Sequence, residues 1–208
     1  VGQDHLISAE GPLTAFLKAP RLPSLIFWGP PGTGKTTLAR LIANERNQPF
    51  IQLSAVFAGV ADLRRVFEGA SKSTNTILFV DEIHRFNKSQ QDALLGPMEN
   101  GLITLIGATT ENPSFALNTA LLSRARVLVI HSLTPEALEA LIQRAEKKMG
   151  HPLSLTPDAR ASLIHLADGD GRMLLNLVET IQSQSPDKPL TPEDLSTILQ
   201  QRAALYDR

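Results

Sequence analysis

The stretch Gly29-Pro30-Pro31-Gly32-Thr33-Gly34-Lys35-Thr36 constrains this chain more than any other. It fits G-x-x-x-x-G-K-[ST], the P-loop pattern, and its flanks suit it. The apolar run Leu25-Ile26-Phe27-Trp28 enters it, and Thr37-Leu38-Ala39-Arg40-Leu41-Ile42-Ala43 leaves it with helical spacing. Glycines let the backbone bend so that several N–H groups face one anion, and the following helix adds the positive end of its dipole. Lys35 then reaches the β- and γ-phosphates, and the Thr36 hydroxyl offers a ligand to Mg²⁺. Gly29 to Thr37 are therefore expected to hold a nucleoside triphosphate. A glycine-rich turn that binds nothing is the competing reading, and it needs neither the lysine nor the threonine.

Behind this loop, apolar runs and helical patterns alternate. Pro49-Phe50-Ile51-Gln52-Leu53 reads as a second strand, and Leu63, Val66 and Phe67 share one face of a helix over 61–67. Thr76-Ile77-Leu78-Phe79-Val80 suits a strand covered on both faces of a parallel sheet. Ser89 is expected to cap a helix from Gln90 that ends near Asn100-Gly101. Strands over Leu102–Gly107 and Val127–Ile130 follow, which predicts an α/β fold, a doubly wound parallel five-stranded sheet. Before the first strand, Gly2-Gln3-Asp4-His5-Leu6-Ile7 and Gly11-Pro12-Leu13 read as a loop and a short helix.

The pattern changes after Ser132. Thr134-Pro135-Glu136, Thr156-Pro157-Asp158 and Thr191-Pro192-Glu193 each place a capping Thr before Pro at the first helical position. With Gly171-Arg172-Met173-Leu174-Leu175 they start four helices and no strands. Residues 1–132 are thus expected to form a nucleotide-binding α/β domain, and 133–208 an all-helical lid. The start at Val1 and the stop at Tyr206-Asp207-Arg208 just past a helical pattern point to a piece of a longer polypeptide.

Composition narrows the alternatives. With 42% hydrophobic and 20% charged residues the chain reads as globular, its apolar runs are strand-sized, and no membrane span or signal peptide is expected. Zero cysteines exclude disulfides and thiolate metal sites. A net charge of −1 provides no global field for nucleic acid, so any DNA contact must be local.

Asp81-Glu82 follows the buried run, where α/β sheets place their ligands. Asp81 is expected to hold Mg²⁺ through a water, and Glu82 to polarise the water that attacks the γ-phosphate. Thr109-Thr110 ends the fourth strand, either as a turn or, if that strand lies beside the first, with a hydroxyl that orients the water. Arg124 precedes the fifth strand and either pairs with a local carboxylate or projects to a neighbouring subunit's nucleotide. Arg172 starts a helix, as a lid over phosphates or a surface cation. His5, His84, His131, His151 and His165 have no i, i+4 partner and are expected to be structural.

These motifs resemble the AAA+ ATPases, and the likeness extends over essentially the whole chain. Asp81-Glu82-Ile83-His84-Arg85-Phe86-Asn87-Lys88-Ser89-Gln90-Gln91-Asp92 and Ile106-Gly107-Ala108-Thr109-Thr110-Glu111-Asn112-Pro113-Ser114-Phe115 are similar to the RarA/MgsA replication-associated recombination proteins. These belong to the clamp-loader side of AAA+ and are related to the Werner-helicase-interacting ATPases. The resemblance implies Walker A over Gly29–Thr36 and Walker B ending at Asp81-Glu82. It also implies sensor 1 at Thr109, an arginine finger at Arg124 and a sensor 2 at Arg172. Gly2-Gln3 falls on a motif near the adenine, and Ser54 on a polar switch position. Further implications are ATP and Mg²⁺ as cofactors, a C-terminal oligomerisation domain beyond this chain, and a homo-oligomer in the cytoplasm, nucleoid-associated if bacterial. The partners implied are DNA at forks, gaps, junctions or duplex ends, and single-strand-binding protein.

Three functional alternatives remain at this point, besides a clamp-loader subunit. Holliday-junction branch-migration motors share Asp-Glu-Ile-His-Arg but insert a β-hairpin before the fourth strand, and here only Asn100-Gly101-Leu102 separate helix from strand. A small-molecule kinase or a non-hydrolysing switch would share the P-loop, yet neither needs Glu82. Candidate DNA contacts are Arg64, Arg65, Arg85 and Lys88, each otherwise a solvated surface charge.

Overall fold

Strands β1 (Ser24–Trp28), β3 (Thr76–Asp81) and β4 (Ile103–Thr109) carry nearly uninterrupted apolar side chains and are buried along most of their lengths. With β2 (Phe50–Ser54) and β5 (Ala125–Val129) they form one parallel sheet in the order β2-β3-β4-β1-β5. The computed structural model describes residues 1–70, 75–184 and 188–198.

Successive side chains of a strand point to opposite faces, so a continuous apolar run requires cover on both. The helices provide it. Leu25, Phe27, Ile77, Phe79 and Ile106 pack with Ala39, Ile42 and Ala43 of α3 (Lys35–Glu45). The same layer takes Leu6 of α1 (Asp4–Ile7) and Leu13 of α2 (Pro12–Lys18). Ile26, Leu78, Val80 and Leu105 face the other way, against Leu63 and Val66 of α4 (Val60–Ala70) and Leu94 and Met98 of α5 (Lys88–Glu99). Each of the larger side chains among them, from Val to Phe, contributes about 1.5–3 kcal/mol on burial. A 3₁₀ turn (Ile83–Arg85) follows β3, and the short helices α6 (Pro113–Ala116) and α7 (Thr119–Leu122) lie between β4 and β5. The doubly wound sheet expected from the sequence is the fold observed.

Boundaries differ in places. The helix after β3 is capped by Asn87 rather than Ser89. The Asn87 side chain accepts from the Gln90 N–H and the Gln90 side chain accepts from the Asn87 N–H, a capping box that starts α5 at Lys88. β4 begins at Ile103 rather than Leu102 and ends at Thr109, and β5 begins two residues before the expected Val127.

The chain divides into two compact units, Gln3–His131, and Ser132–Arg208 together with Val1–Gly2. In the second, α8 (Pro135–Met149), α9 (Pro157–Ala167) and α10 (Gly171–Gln184) pack around Leu138, Ile142, Leu163, Leu174 and Val178, and residues 192–198 are helical. Thr134 and Thr156 cap α8 and α9 by accepting from the Ala137 and Ala159 N–H groups. The C-terminal pattern around Tyr206-Asp207-Arg208 lies outside the described residues.

Candidate nucleotide site

All five strands are parallel, so their carboxyl ends share one edge, where such sheets bind ligands. Trp28 pairs with Thr109 and Ser54 with Asp81, which aligns the exits of β1 and β4, and of β2 and β3. The glycine-rich loop, Asp81-Glu82 and Thr109 thereby meet along that edge.

The loop is fastened at its first residue. Gly29 donates its N–H to the Thr109 carbonyl (3.1 Å), while the Ile130 N–H donates to the Trp28 carbonyl (2.7 Å). A Cβ on Gly29 would lie 2.0 Å from the Ile130 carbonyl oxygen, so only glycine passes between β4 and the end of β5. Thr33 Oγ1 donates to the Pro30 carbonyl (2.9 Å), and the buried Lys35 Nζ donates to the carbonyls of Gly29 (2.8 Å) and Pro30 (2.6 Å). Gly32 and Gly34 turn the chain through positive φ (66° and 91°) into α3. Gly34 caps that helix without a side-chain acceptor. The first-turn N–H groups of α3 point out of the end of the helix that faces the loop. Together with the Lys35 ammonium they make a donor set that suits a polyphosphate. Pro31, within the loop, is exposed. Thr36 and Asp81 add a hydroxyl and a carboxylate, the oxygen chemistry that Mg²⁺ prefers. Among the described residues no group of three His, Asp or Glu could hold a metal unaided, so such a cation would share phosphate oxygens.

Glu82 stands just past β3 in a left-handed backbone conformation (φ 53°). Such a conformation is uncommon outside glycine and clusters at functional sites. Thr109 is fully buried. Its hydroxyl accepts from the Glu111 N–H (3.0 Å) and faces the Glu111 carbonyl (3.2 Å).

Sequence reasoning passed over His84. Its side chain is 5% exposed, and Nδ1 lies 3.0 Å from Thr109 Oγ1 and 3.3 Å from Glu82 Oε2. Nε2 lies 3.4 Å from Glu111 Oε1. Its position two residues after Glu82, across a 3₁₀ turn, was the available signal.

Arg124 precedes β5, at the opposite edge of the sheet, roughly 16 Å of strand from the loop. It pairs with Glu99 through Nε (2.6 Å) and Nη2 (2.5 Å) and donates to the Ala120 carbonyl. Gln3 is buried, and its amide brackets the backbone of His131, donating to the carbonyl (2.8 Å) and accepting from the N–H (3.1 Å). Gly2 (φ 78°) and the exposed Arg172, second residue of α10, belong to the other unit. Arg64, Arg65, Arg85 and Lys88 are exposed, and Arg65 pairs with Asp62 (3.1 Å).

Residues 25–149 match the ATPase family associated with various cellular activities (AAA), and residues 149–208 match the AAA C-terminal domain. The chain belongs to the AAA ATPase family. This member is 47% identical over 221 residues to replication-associated recombination protein A of Escherichia coli (strain K12), covering 100% of this chain and 49% of that protein. It is 40% identical to ATPase WRNIP1 of Dictyostelium discoideum, covering 100% of this chain and 27% of that protein. The chain spans about half the length, or less, of these curated relatives. Among solved structures it superposes on the RuvB Holliday junction branch migration motor of Thermotoga maritima with a TM-score of 0.78 at 26% identity. That match covers 96% of this chain and 69% of the RuvB chain. No helix among the described residues is long and apolar enough to cross a membrane.

Proposed function

We propose that this chain is the Mg²⁺-dependent ATPase core of a longer protein that remodels DNA during replication-associated recombination at stalled forks. The observation that carries the reading is the sheet edge, where strand order brings the glycine loop, Asp81-Glu82 and Thr109 together.

In this reading Gly29–Thr37 bind the phosphates and Lys35 neutralises the charge that grows on the γ-phosphate. Thr36 and Asp81 would hold Mg²⁺, which would offset the negative charge of the phosphates. The Glu82 carboxylate takes the proton of the attacking water, and Thr109 fixes that water's direction. Gly2-Gln3 border the adenine, with Gln3 acting through its hold on the His131 backbone. The helical unit is a lid that brings Arg172 to the phosphates.

Arg124 cannot serve its own loop from the opposite edge of the sheet, which supports a role toward a neighbouring copy's nucleotide. A homo-oligomer, assembled through a further C-terminal domain, is part of this reading. DNA at forks, gaps or junctions is the proposed substrate, with single-strand-binding protein as a partner and the cytoplasm or nucleoid as the location.

The second reading, a branch-migration motor, is favoured by the RuvB-like fold. Against it, α5 ends at Glu99 and β4 begins at Ile103, leaving no space for an inserted hairpin. The test is hydrolysis by the full-length protein with and without forked or gapped DNA. Glu82→Gln is expected to bind ATP and turn over at least about 10²-fold more slowly. Arg124→Ala is expected to lose on the order of 10³-fold. Mixing the two variants should restore part of the rate, and no restoration would reject a finger acting between subunits.

A further inference from the structure

The imidazole of His84 is nearly buried, and its two nitrogens lie against oxygens of Glu82, Thr109 and Glu111. The fold directs it there. Ile83 seats against Gly107, where a Cβ would lie 2.8 Å from Ile83 Cδ1, so glycine in β4 lets the 3₁₀ turn close onto the strand. The turn then swings the residue after Ile83 back toward both Glu82 and the end of β4.

Counting protons decides what the imidazole does. Thr109 has one hydroxyl proton, and its oxygen already accepts from the Glu111 N–H. If that proton goes to the Glu111 carbonyl, 3.2 Å away, Nδ1 is the donor. Its N–H is then shared between Thr109 Oγ1 at 3.0 Å and Glu82 Oε2 at 3.3 Å. If Nδ1 were bare, a lone pair would face the Glu82 carboxylate, and both would repel. With Nδ1 protonated, both Thr109 Oγ1 and Glu82 Oε2 face a donor, and the nitrogen left bare is Nε2, opposite the solvent-exposed Glu111.

We infer that His84 is a positioning residue for hydrolysis, whose Nδ1–H ties the Glu82 carboxylate to the Thr109 hydroxyl and fixes their relative orientation. This rests on the ATPase reading above, in which those two groups address the attacking water. Glu111, 60% exposed, faces Nε2 from the solvent side and is not needed for this tie.

The test uses the full-length protein. His84→Ala is expected to lower kcat by about 10- to 100-fold, the scale of a misplacement near 1 Å, with KM for ATP changed less than about twofold. His84→Asn, which keeps an N–H donor near the Nδ1 position, should recover much of kcat. His84→Gln, whose amide extends toward the Nε2 position, should not. A spectroscopic readout independent of turnover accompanies these. In protein labelled with ¹⁵N-histidine, the His84 ring signals should move in both Glu82→Gln and Thr109→Val. Unmoved signals in both, or kcat of His84→Ala equal to that of the parent, would overturn the assignment. If the parent protein hydrolyses nothing, the ATPase reading falls, and the ring signals still decide whether His84 joins the two groups.

Discussion

Gly29 shows how much one missing methyl group decides. Its Cβ would collide with a backbone oxygen, Ile130 O, that no rotamer change can remove. Gly29→Ala is expected to cost about 1–3 kcal/mol of stability and to weaken Mg-ATP binding by about tenfold or more. Urea denaturation and titration calorimetry measure the two losses. At this scale the sequence was informative where spacing itself is the chemistry: G-x-x-x-x-G-K-[ST] and the acid pair both name their residues. It was silent where a role comes from residues far apart in the chain. Gln3 carries no sign that its amide will bracket His131, 128 positions on, because that contact exists only once β5 lies at the sheet edge. His84 was set aside for want of an i, i+4 partner. Its neighbours come from the residue two before it and from the end of β4.

Among elements, α5 provides a sharp comparison. The capping box places the start at Asn87, so Asn87→Ala is expected to destabilise by about 1 kcal/mol. Ser89→Ala, within the helix, is expected to stay within about 0.5 kcal/mol. Chemical denaturation of the two variants side by side distinguishes these starts. Both residues are good caps by type, and the tie is resolved by the glutamine three places after Asn87. Strand existence was easier to read than strand ends. A two-sided apolar run such as Ile77–Val80 admits little else, whereas the extension of β4 through Ala108 and Thr109 depends on pairing with β1. The start of β5 at Ala125 likewise depends on pairing with Ser24.

At the scale of the whole molecule, acid sensitivity is assigned to the helical unit. Arg160 of α9 donates to Glu139 and Glu146 of α8, at distances from 2.7 to 3.1 Å. These hydrogen bonds are the main cause that holds both carboxyls below their ordinary value of 4.5, and they raise the guanidinium further above neutrality. A depressed carboxylate contributes stability that is complete above its unfolded value and is lost as pH falls through the folded one. Arg160→Leu is therefore expected to be less stable by about 1–3 kcal/mol at pH 7, between the values for exposed and buried pairs. That gap should close below about pH 4.5, as followed by thermal melts from pH 7 to pH 3. The sheet has a consequence of another kind. The strand that leads into the glycine loop lies between β4 and β5, and Ser24 Oγ accepts from the Leu105 N–H across 81 positions. As the ribosome releases the chain, β1 must wait without either neighbour until most of the first unit has been made. The ATP pocket is thus encoded early and assembled late, and a nascent chain halted before β4 would expose Leu25-Ile26-Phe27 to chaperones.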